Sequence, residues 1–306
     1  MILEVVVLVG GSGSRLWPLT EERPKPLLPV LGRPMLDWVL APLNQPFVGR
    51  ITLAVGYKAE AFQGYESFRP IQVVAEEFPR GTGGALRALQ PDIQGPVLVL
   101  NGDTFLEFEL SAFWEQHRTQ NPHLSMAVCR VENAGRYGRV VLDEEGAVRA
   151  FLEKDSTFSG AAWINAGAYL FSPEAWSELP DKPAYSLEQE VFPHWVGERF
   201  RTWKCAGRFS DVGTHEAYLE AHLRSGGRIS PQAQVADDAE LVGPVYLGPG
   251  CRIGAGARIE ESVLEKDVVV GAGSRLRQCI LAQGLTVAAG SVVERQTWSG
   301  VRRQPF

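Results

Sequence analysis

The chain has 306 residues, which is enough for one large domain or two smaller ones. Hydrophobic residues make up 45% and charged residues 22%, a balance typical of a globular protein that buries a large core. Thirty Lys and Arg against 36 Asp and Glu give a formal charge of −6. This charge argues against a protein that binds nucleic acid or an anionic membrane, because such proteins need a basic face.

Cysteine usage and the start of the chain bear on the compartment. The opening apolar run over 5–9 is too short to span a membrane and has no basic flank typical of a signal peptide. The cysteines are scattered without a Cys-x-x-Cys pair, which predicts neither a zinc site nor a disulfide framework and favours the cytoplasm. They are Cys129, Cys205, Cys251 and Cys279.

Up to about residue 225, short apolar runs alternate with helical patterns. Predicted strands cover 5–9, 51–55, 71–75 and 97–100, and their nearly continuous apolar character is typical of parallel strands buried on both faces. Predicted helices begin at Pro34 and cover 84–89, and a further one follows the N-cap residue Thr214 and ends near residue 224. The fold class predicted for residues 1–225 is therefore α/β, with a Rossmann-like, mostly parallel sheet whose ligands bind at the carboxyl ends of the strands.

From residue 226 the hydrophobic period changes to six. The aliphatic positions are Ile229, Val235, Leu241, Leu247, Ile253 and Ile259, and, after slips of one residue, Val270, Leu276, Val287 and Val293. A period of six fits neither a helix nor a two-residue strand alternation, but it is typical of a parallel β-helix in which each hexapeptide forms one side of a triangular coil. Residues 226–306 are accordingly predicted to form a second domain, a short left-handed parallel β-helix.

A glycine-rich loop follows the first predicted strand directly. Glycines at such a place let backbone N–H groups approach phosphate oxygens. A dinucleotide fingerprint would need glycine at Leu16, and a phosphate-binding Walker loop would need Gly-Lys-Ser/Thr, so neither motif is present. What distinguishes this loop is Arg15 inside it and Lys25 ten residues later, between two prolines that restrict the backbone.

These motifs resemble the signature of the sugar-1-phosphate nucleotidylyltransferases, which couple a nucleoside triphosphate to a sugar 1-phosphate and release pyrophosphate. The resemblance covers residues 1 to about 225 and continues in the family's order. Its further segments are Gly81-Thr-Gly-Gly-Ala, Asn101-Gly-Asp-Thr, Tyr137-Gly, Glu153-Lys, Asn165-Ala-Gly and Asp211-Val-Gly-Thr.

Among the subfamilies, the motifs look most like the guanylyltransferases acting on D-glycero-D-manno-heptose 1-phosphate, closely followed by those acting on mannose 1-phosphate. A C-terminal hexapeptide β-helix is more typical of the mannose enzymes. The resemblance implies GTP and a manno-configured sugar 1-phosphate as substrates. A glucose-1-phosphate thymidylyl- or uridylyltransferase and a non-catalytic regulatory relative remain the alternatives.

The resemblance also implies roles for individual residues. Two polyanions must meet at one phosphorus atom, so cations and Mg²⁺ are needed to neutralise charge. The implied catalytic residues are Arg15, Lys25 and Asp103, and the implied Mg²⁺ ligands are Asp103 and Asp211. The implied nucleotide-binding residues are Gly10, Gly11, Ser12, Gly13, Ser14, Gly81, Thr82, Gly83 and Gly84. The residues implied to bind the sugar phosphate are Tyr137, Gly138, Glu153, Lys154, Asn165 and Gly167.

The predicted β-helix offers no group for chemistry of its own. Bifunctional relatives use a general base, commonly His, on the coils for acyl transfer. The sequence has no His between residues 229 and 293. We therefore expect the coils to support stability or homo-oligomer formation, and we expect a chain ending near Gly226 to keep the chemical step.

Overall fold

The computed structural model describes residues 1–152, 154–224 and 226–306. The chain divides into two compact units, one formed by Met1–Gly11 with Asp37–Phe209 and the other by Ser12–Leu36 with Ser210–Phe306. The glycine-rich loop is thus shared, because Gly11 and Ser12 fall in different units. The domain boundary predicted at Ser225 lies outside the described residues and stays a prediction.

Thirteen strands and six α-helices cover the described residues up to 224. The strands are β1 (Leu3–Leu8), β2 (Pro29–Val30), β3 (Arg33–Pro34), β4 (Val48–Val55), β5 (Ile71–Ala75), β6 (Val97–Asn101), β7 (Thr104–Leu106), β8 (Leu124–Val131), β9 (Arg139–Leu142), β10 (Ala147–Leu152), β11 (Ala162–Phe171), β12 (Gly197–Cys205) and β13 (Phe209–Asp211). The helices are α1 (Met35–Leu40), α2 (Gly81–Leu89), α3 (Leu110–Gln120), α4 (Pro173–Ser177), α5 (Phe192–Trp195) and α6 (His215–Leu223).

The first unit is built on a nine-stranded sheet with the order β5-β4-β1-β6-β11-β8-β12-β10-β9. Strands β5, β4, β1 and β6 are parallel, and they match the four predicted strands with boundary shifts of up to three residues. Strand β11 is antiparallel to both β6 and β8, whereas β12 is parallel to β8. The predicted α/β class is confirmed, and the strands beyond β6 make the sheet mixed.

The sheet positions the functional segments through its parallel register. Leu8 of β1 lies opposite Asn101 of β6, so the loops that follow both strands leave the same edge of the sheet. All four residues from Val97 to Leu100 are buried, which explains their uniformly apolar character. Gly10 and Asp103 therefore follow neighbouring strands at the carboxyl edge, where α/β sheets bind their ligands.

In the second unit, α6 confirms the helix predicted after Thr214. The Thr214 hydroxyl accepts a hydrogen bond of 3.2 Å from the backbone N–H of Ala217, the usual interaction of an N-cap residue. Tyr218 and Leu223 are buried, as their helical spacing predicts. Helix α6 starts four residues after Asp211, so its N-cap also orders the residues that follow this predicted metal ligand.

Fourteen short strands follow α6. They are β14 (Gly227–Ile229), β15 (Gln234–Val235), β16 (Glu240–Val242), β17 (Val245–Leu247), β18 (Arg252–Ile253), β19 (Arg258–Glu260), β20 (Val263–Leu264), β21 (Val269–Val270), β22 (Arg275–Arg277), β23 (Ile280–Leu281), β24 (Thr286–Val287), β25 (Val292–Glu294), β26 (Gln296–Ser299) and β27 (Arg302–Pro305).

These strands form the three sides of the predicted parallel β-helix. Side one contains β14, β17, β20, β23 and β26, side two contains β15, β18, β21 and β24, and side three contains β16, β19, β22 and β25. Equivalent aliphatic residues stack from coil to coil, as Leu247 does on Leu264 and Leu264 on Leu281. Strand β27 is antiparallel to β26 and ends side one.

The one-residue slips in the hexapeptide pattern lie where the chain passes from side three to side one. Leu264 follows Ile259 by five positions instead of six, and Leu281 follows Leu276 in the same way. At the last three of the four corners of this kind, Glu261, Gln278 and Arg295 have left-handed backbone angles, with φ of 43°, 51° and 47°. Gly243 at the first such corner is also left-handed, with φ of 66°, although Leu247 follows Leu241 by six positions, so the left-handed angle alone does not shorten a corner.

None of the described helices is long and apolar enough to cross a membrane. All four cysteines are free and buried. Cys251 and Cys279 belong to the apolar core of the β-helix. Burial raises the pKa of the Cys279 thiol to about 11, so this side chain acts as a small apolar core residue.

The core of the β-helix gives a direct stability prediction. Ile259 is fully buried and stacks between Leu241 and Leu276, so Ile259→Ala leaves a cavity that neighbouring coils cannot close. We expect it to lower the free energy of unfolding by about 2–5 kcal/mol, measured by denaturant titration. Val292→Ala is the matched control, because Val292 is 76% exposed and its truncation should change stability by less than about 0.5 kcal/mol. Equal effects of the two changes would contradict the inward orientation of Ile259.

Candidate functional site

Neighbouring atoms leave little space around Gly10, at the edge of the first unit's sheet. A Cβ atom at Gly10 would lie 3.2 Å from Oε2 of Glu76, and one at Gly56 would lie 2.8 Å from the Gly10 carbonyl oxygen. Burial raises the pKa of Glu76, and the neighbouring Arg80 opposes this rise with a smaller effect. At Gly11 an added Cβ would meet open space. The backbone at Gly11 is thus accessible, as a phosphate-binding role requires.

In the second unit, Gly13 brings the glycine-rich loop against the lysine segment. Gly13 has φ of +63° and precedes a short 3-10 helix over Ser14–Leu16. A Cβ atom at Gly13 would lie 2.9 Å from both Cβ of Lys25 and Cγ2 of Thr20. The Thr20 hydroxyl donates a hydrogen bond of 3.1 Å to the Gly13 carbonyl oxygen. Glycine is therefore required here by both backbone conformation and close approach.

Lys25 is buried beside Asp211. It begins a second 3-10 helix, Lys25–Leu27, and only 5% of its surface is exposed. Its Nζ lies 3.5 Å from Oδ1 of Asp211, a residue 186 positions later in the chain. A buried ammonium group is costly unless a carboxylate compensates it. The two residues that the resemblance placed at the reaction centre are thus neighbours in the folded unit.

Arg15 and Asp211 meet at Gly213. A Cβ atom at Gly213 would lie 2.9 Å from an Nη atom of Arg15 and 3.0 Å from Oδ1 of Asp211. The glycine therefore leaves room for a guanidinium group next to the carboxylate that pairs with Lys25. We refer to Arg15, Lys25 and Asp211 as the loop cluster. Two cations and one anion leave it with a net positive charge, which suits phosphate oxygens.

The glycines of Gly81-Thr-Gly-Gly84 pack against the chain near Tyr185. Helix α2 begins at Gly81, three residues before the predicted start. A Cβ atom at Gly83 would lie 2.0 Å from the Tyr185 ring, and one at Gly84 would lie 2.6 Å from the Pro183 carbonyl oxygen. The backbone N–H of Gly83 donates to the Tyr185 carbonyl oxygen at 2.9 Å. This packing accounts for the small residues, and nucleotide contact by this segment stays a prediction.

A hydrogen-bond network that the motifs did not indicate connects Thr82 to Asn165 through Glu188. The Thr82 hydroxyl donates to Glu188 Oε2 at 2.8 Å, and the Tyr169 hydroxyl donates to Glu188 Oε1 at 3.3 Å. Asn165 Nδ2 in turn donates to the Tyr169 hydroxyl at 2.7 Å. Burial, followed by the nearby Glu188, raises the pKa of Tyr169 well above its usual value. Ser186 and Glu188 stand among other polar residues such as Lys182 and Glu190, so the sequence carried no signal for this network.

Asn165 and Gly167 are held close to the end of β6. The Asn165 side-chain oxygen accepts a hydrogen bond of 2.9 Å from the Gly167 N–H, and the Asn165 N–H donates to the Gly138 carbonyl oxygen at 3.4 Å. Gly167 has φ of +73°, and a Cβ there would lie 2.7 Å from Nδ2 of Asn101. Three predicted residues, Gly138, Asn165 and Gly167, are therefore neighbours of the segment that carries Asp103.

The structure gives fewer contacts for the remaining residues that were predicted to bind the sugar phosphate. The Tyr137 ring contacts Phe209 edge-to-face with 5.5 Å between centroids, and the Arg136 guanidinium lies 5.0 Å from the Tyr137 centroid. Lys154 is exposed. Glu153 lies outside the described residues, so its predicted role stays a prediction.

The donor chemistry of the two predicted metal ligands fits a hard cation. Mg²⁺ prefers oxygen ligands, and Asp103 and Asp211 are half-buried carboxylates that offer them. Two residues before Asp103, the side-chain oxygen of Asn101 is buried and has no hydrogen-bond partner within the described ranges. A buried polar oxygen without a partner is costly unless a ligand satisfies it. Neither of the two predicted ligands is a thiol or an imidazole.

Two family models together match nearly the whole chain. The model described as "Nucleotidyl transferase" matches residues 4–226, and the model described as "GMPPB C-terminal domain" matches residues 226–302. The first model spans both the segments that follow the sheet strands and the loop cluster. The second covers the coils of the β-helix.

Individual relatives agree with the family models. A mannose-1-phosphate guanylyltransferase of Mycobacterium tuberculosis is 32% identical over 286 residues, which cover 86% of this chain and 79% of the relative. A mannose-1-phosphate guanylyltransferase catalytic subunit beta of Drosophila pseudoobscura pseudoobscura is 30% identical over 271 residues, 83% of this chain and 71% of the relative.

A solved structure shares the fold. The crystal structure of HddC from Yersinia pseudotuberculosis complexed with GMP-PN superimposes with a TM-score of 0.62 at 28% identity, covering 71% of this chain and 97% of that one. With a family model over more than half of the residues and relatives of 30% identity or more, the chain belongs to the nucleotidyl transferase family.

Proposed function

We propose that this protein transfers GMP from GTP to a manno-configured sugar 1-phosphate, either mannose or heptose. An oxygen of the sugar phosphate attacks the α-phosphorus of GTP and forms a new P–O bond. The bond between the α-phosphorus and the oxygen bridging to the β-phosphate breaks, and pyrophosphate leaves with its electron pair. The products are the GDP-sugar and pyrophosphate, with no oxidation or reduction.

The loop cluster is the observation that carries this proposal. Lys25 and Arg15 bring two cations to one place, and Asp211 keeps the buried Lys25 ammonium compensated until substrate arrives. Phosphoryl transfer needs little covalent chemistry from the protein and depends on positioning and charge neutralisation. We assign Arg15 to the leaving pyrophosphate, for which its planar fork is suited, and Lys25 to the α-phosphate or leaving group. Lys154 is assigned to the phosphate of the incoming sugar.

The other assignments follow the two sides of the reaction. For the nucleotide we propose backbone contacts from the glycine-rich loop over 10–14 and from 81–84, with the open space at Gly11 supporting the former. For the sugar hydroxyls we propose Tyr137, Gly138, Glu153, Asn165 and Gly167. The hydrogen bonds that hold Asn165 leave its position fixed before substrate binds, which lowers the ordering cost of recognition.

The base and the sugar are inferred from the relatives. The relatives reported above are named for guanylyl transfer to mannose 1-phosphate, and the HddC structure contains GMP-PN. The β-helix gives further support for mannose, because the matching C-terminal model spans it. Heptose is kept within the proposal because the motifs of residues 1–225 resemble both subfamilies.

We also propose Mg²⁺ as the cofactor, with Asp103 and Asp211 as its protein ligands. When bound, Mg²⁺ would neutralise phosphate charge and orient the substrate oxygens. Asp103 accepts a hydrogen bond of 3.5 Å from the Thr104 hydroxyl, which holds its carboxylate at the end of β6. For the assembly we propose a homo-oligomer in the cytoplasm, a compartment whose reducing conditions suit four free thiols.

The substrate proposal is tested by a screen of five nucleoside triphosphates against sugar 1-phosphates with Mg²⁺, read out as pyrophosphate release. We expect the highest kcat/KM for GTP with mannose 1-phosphate or D-glycero-D-manno-heptose 1-phosphate. Glucose 1-phosphate with dTTP or UTP is the built-in comparison. If GTP is among the poorest donors, the guanylyl assignment is wrong, and if no pair releases pyrophosphate, the chain is a non-catalytic relative.

The Lys25–Asp211 pair predicts a distinctive double-variant result. Lys25→Met should lower kcat by about 100- to 1,000-fold, because a preorganised cation is lost from the reaction centre. It should also lower the melting temperature, since it leaves Asp211 without its buried counter-charge. Adding Asp211→Asn should restore part of the melting temperature without restoring turnover. Lys266→Met, at an exposed lysine, is the control. Additive losses of stability in the double variant would show that the two side chains do not interact.

The metal proposal makes a separate prediction for Asp103. Asp103→Asn should raise the Mg²⁺ concentration needed for half-maximal turnover and lower the maximal rate by at least about 100-fold. The fold should survive, as shown by an unchanged circular dichroism spectrum. Asp237→Asn, which alters an exposed carboxylate of the β-helix, is the matched control and should leave the Mg²⁺ titration unchanged. A normal Mg²⁺ titration in Asp103→Asn would remove Asp103 from the metal site.

A further inference from the structure

The segment over Ser12–Leu36, which we call the signature loop, belongs to the same compact unit as the β-helix. It carries Arg15 and Lys25 but contains only short helical turns and the β2–β3 hairpin. Its backbone hydrogen bonds are mostly local turns, so the placement of the whole segment depends on what it packs against. Two buried hydrogen-bond relays connect it, by way of α6, to the coils.

The first relay starts at Glu265, directly after β20. Glu265 is 6% exposed, and its Oε1 lies 2.8 Å from the hydroxyl of the fully buried Tyr218 on α6. The same Tyr218 hydroxyl is hydrogen-bonded to the carbonyl oxygen of Pro29. Pro29 lies two residues after the Lys25–Leu27 turn, and the backbone N–H of Leu28 donates to the Lys25 carbonyl oxygen at 3.0 Å. The relay thus ends on the segment that orients Lys25.

The Tyr218 hydroxyl lies between two acceptors, the carbonyl oxygen of Pro29 and Oε1 of Glu265, and it donates towards both. Burial raises the pKa of Glu265, and the hydrogen bond from Tyr218 and the positive charge of Arg23 oppose this rise with smaller effects. A glutamine at position 265 keeps a side-chain oxygen that can accept from Tyr218, whereas a leucine has none.

The second relay reaches the loop near Arg15. His215, the first residue of α6, is hydrogen-bonded to the backbone of Trp17, two residues after Arg15. Its Nδ1 lies 2.8 Å from the hydroxyl of Thr297, which is fully buried on β26. The imidazole also stacks on Phe306, with 5.3 Å between centroids. Burial lowers the pKa of His215, so the neutral ring accepts from Thr297 and donates to the Trp17 carbonyl.

We propose that the β-helix holds the signature loop in its phosphate-binding shape through the relays Glu265–Tyr218–Pro29 and Thr297–His215–Trp17. Glu265 and Thr297 are then positioning residues for Lys25 and Arg15, although neither touches a substrate. This inference rests on the proposed nucleotidyl transfer. It replaces the expectation that a chain ending near Gly226 keeps the chemical step, because such a chain lacks both residues.

The test compares Glu265→Leu with Glu265→Gln, using the full-length enzyme at a temperature at which every variant is folded. We expect Glu265→Leu to lower kcat by about 10- to 100-fold, because misplacing a reacting group by about 1 Å has such an effect. Glu265→Gln should stay within about twofold of the wild type, since its amide oxygen can accept from Tyr218. Val287→Ala is the stability control: it opens a cavity on side two of the β-helix and should lower the melting temperature with kcat unchanged.

The second relay has its own matched pair. Thr297→Val removes the hydroxyl that bonds to His215 while keeping the side chain's shape, and it should lower kcat by about 10-fold or more. Thr286→Val makes the same change at an exposed position of β24 and should have no effect. The readout that is independent of turnover is amide hydrogen exchange. The Leu28 N–H should lose protection in Glu265→Leu, and Trp17 should do so in Thr297→Val.

The outcomes separate this inference from the proposed function. If the wild-type enzyme is active, and Glu265→Leu keeps the wild-type kcat and the wild-type hydrogen-exchange protection of the signature loop, the coils do not position the loop. If Glu265→Gln is as impaired as Glu265→Leu, a hydrogen bond between Tyr218 and position 265 does not hold the loop, and the first relay is wrong. If the wild type shows no turnover while the exchange differences are present, the proposed function fails and the structural coupling stands.

Discussion

The ion pair of Lys25 with Asp211 is the constraint on which the rest of the second unit depends. Removing an ammonium group from water costs several kcal/mol, and a carboxylate at 3.5 Å compensates much of that cost. To bring the two together, the chain joins segments 186 residues apart and places glycine at positions 13 and 213, where a side chain would collide. The proposed reaction centre is therefore also a long-range contact of the unit, and its polar groups must be satisfied before substrate binds.

This constraint explains why catalysis and architecture are difficult to separate here. A cation that neutralises phosphate must be held rigidly, but a loop cannot hold one rigidly by itself. The chain supplies rigidity from α6 and from the coils behind it. Two polar side chains of the β-helix, Glu265 and Thr297, are buried. Buried polar groups are tolerated only with hydrogen-bond partners, and the partners of these two lead to the signature loop.

Much of the fold could be predicted from the sequence because its signals are local. The apolar runs over 51–55 and 71–75, the N-cap at Thr214 and the six-residue period each reflect contacts that repeat along the chain. The slips themselves are visible in the sequence, but the left-handed backbone at Glu261, Gln278 and Arg295 could not be predicted, because residues other than glycine rarely adopt positive φ.

The candidate site likewise has one part that the sequence indicated and one part that it did not. The resemblance implied roles for Arg15, Lys25 and Asp211 individually, and the three side chains lie together in the second unit. The network around Glu188 left no pattern in the sequence, because it joins side chains of ordinary types across 106 residues. The glycines at 83 and 84 show the opposite case, in which a motif that resembles a ligand loop is accounted for by packing against Tyr185 and its neighbours. Sequence patterns indicate which backbone positions must be small, but not which neighbour requires it.

The proposed reaction transfers the α-phosphorus of a guanine nucleotide to a sugar phosphate. The most direct measurement supplies GTP labelled at the α- or the γ-phosphate, together with mannose 1-phosphate and Mg²⁺, and separates the products. We predict that the α-label appears in a GDP-sugar and the γ-label in pyrophosphate. Transfer of the γ-label to the sugar, or its release as inorganic phosphate without a sugar nucleotide, would contradict the account.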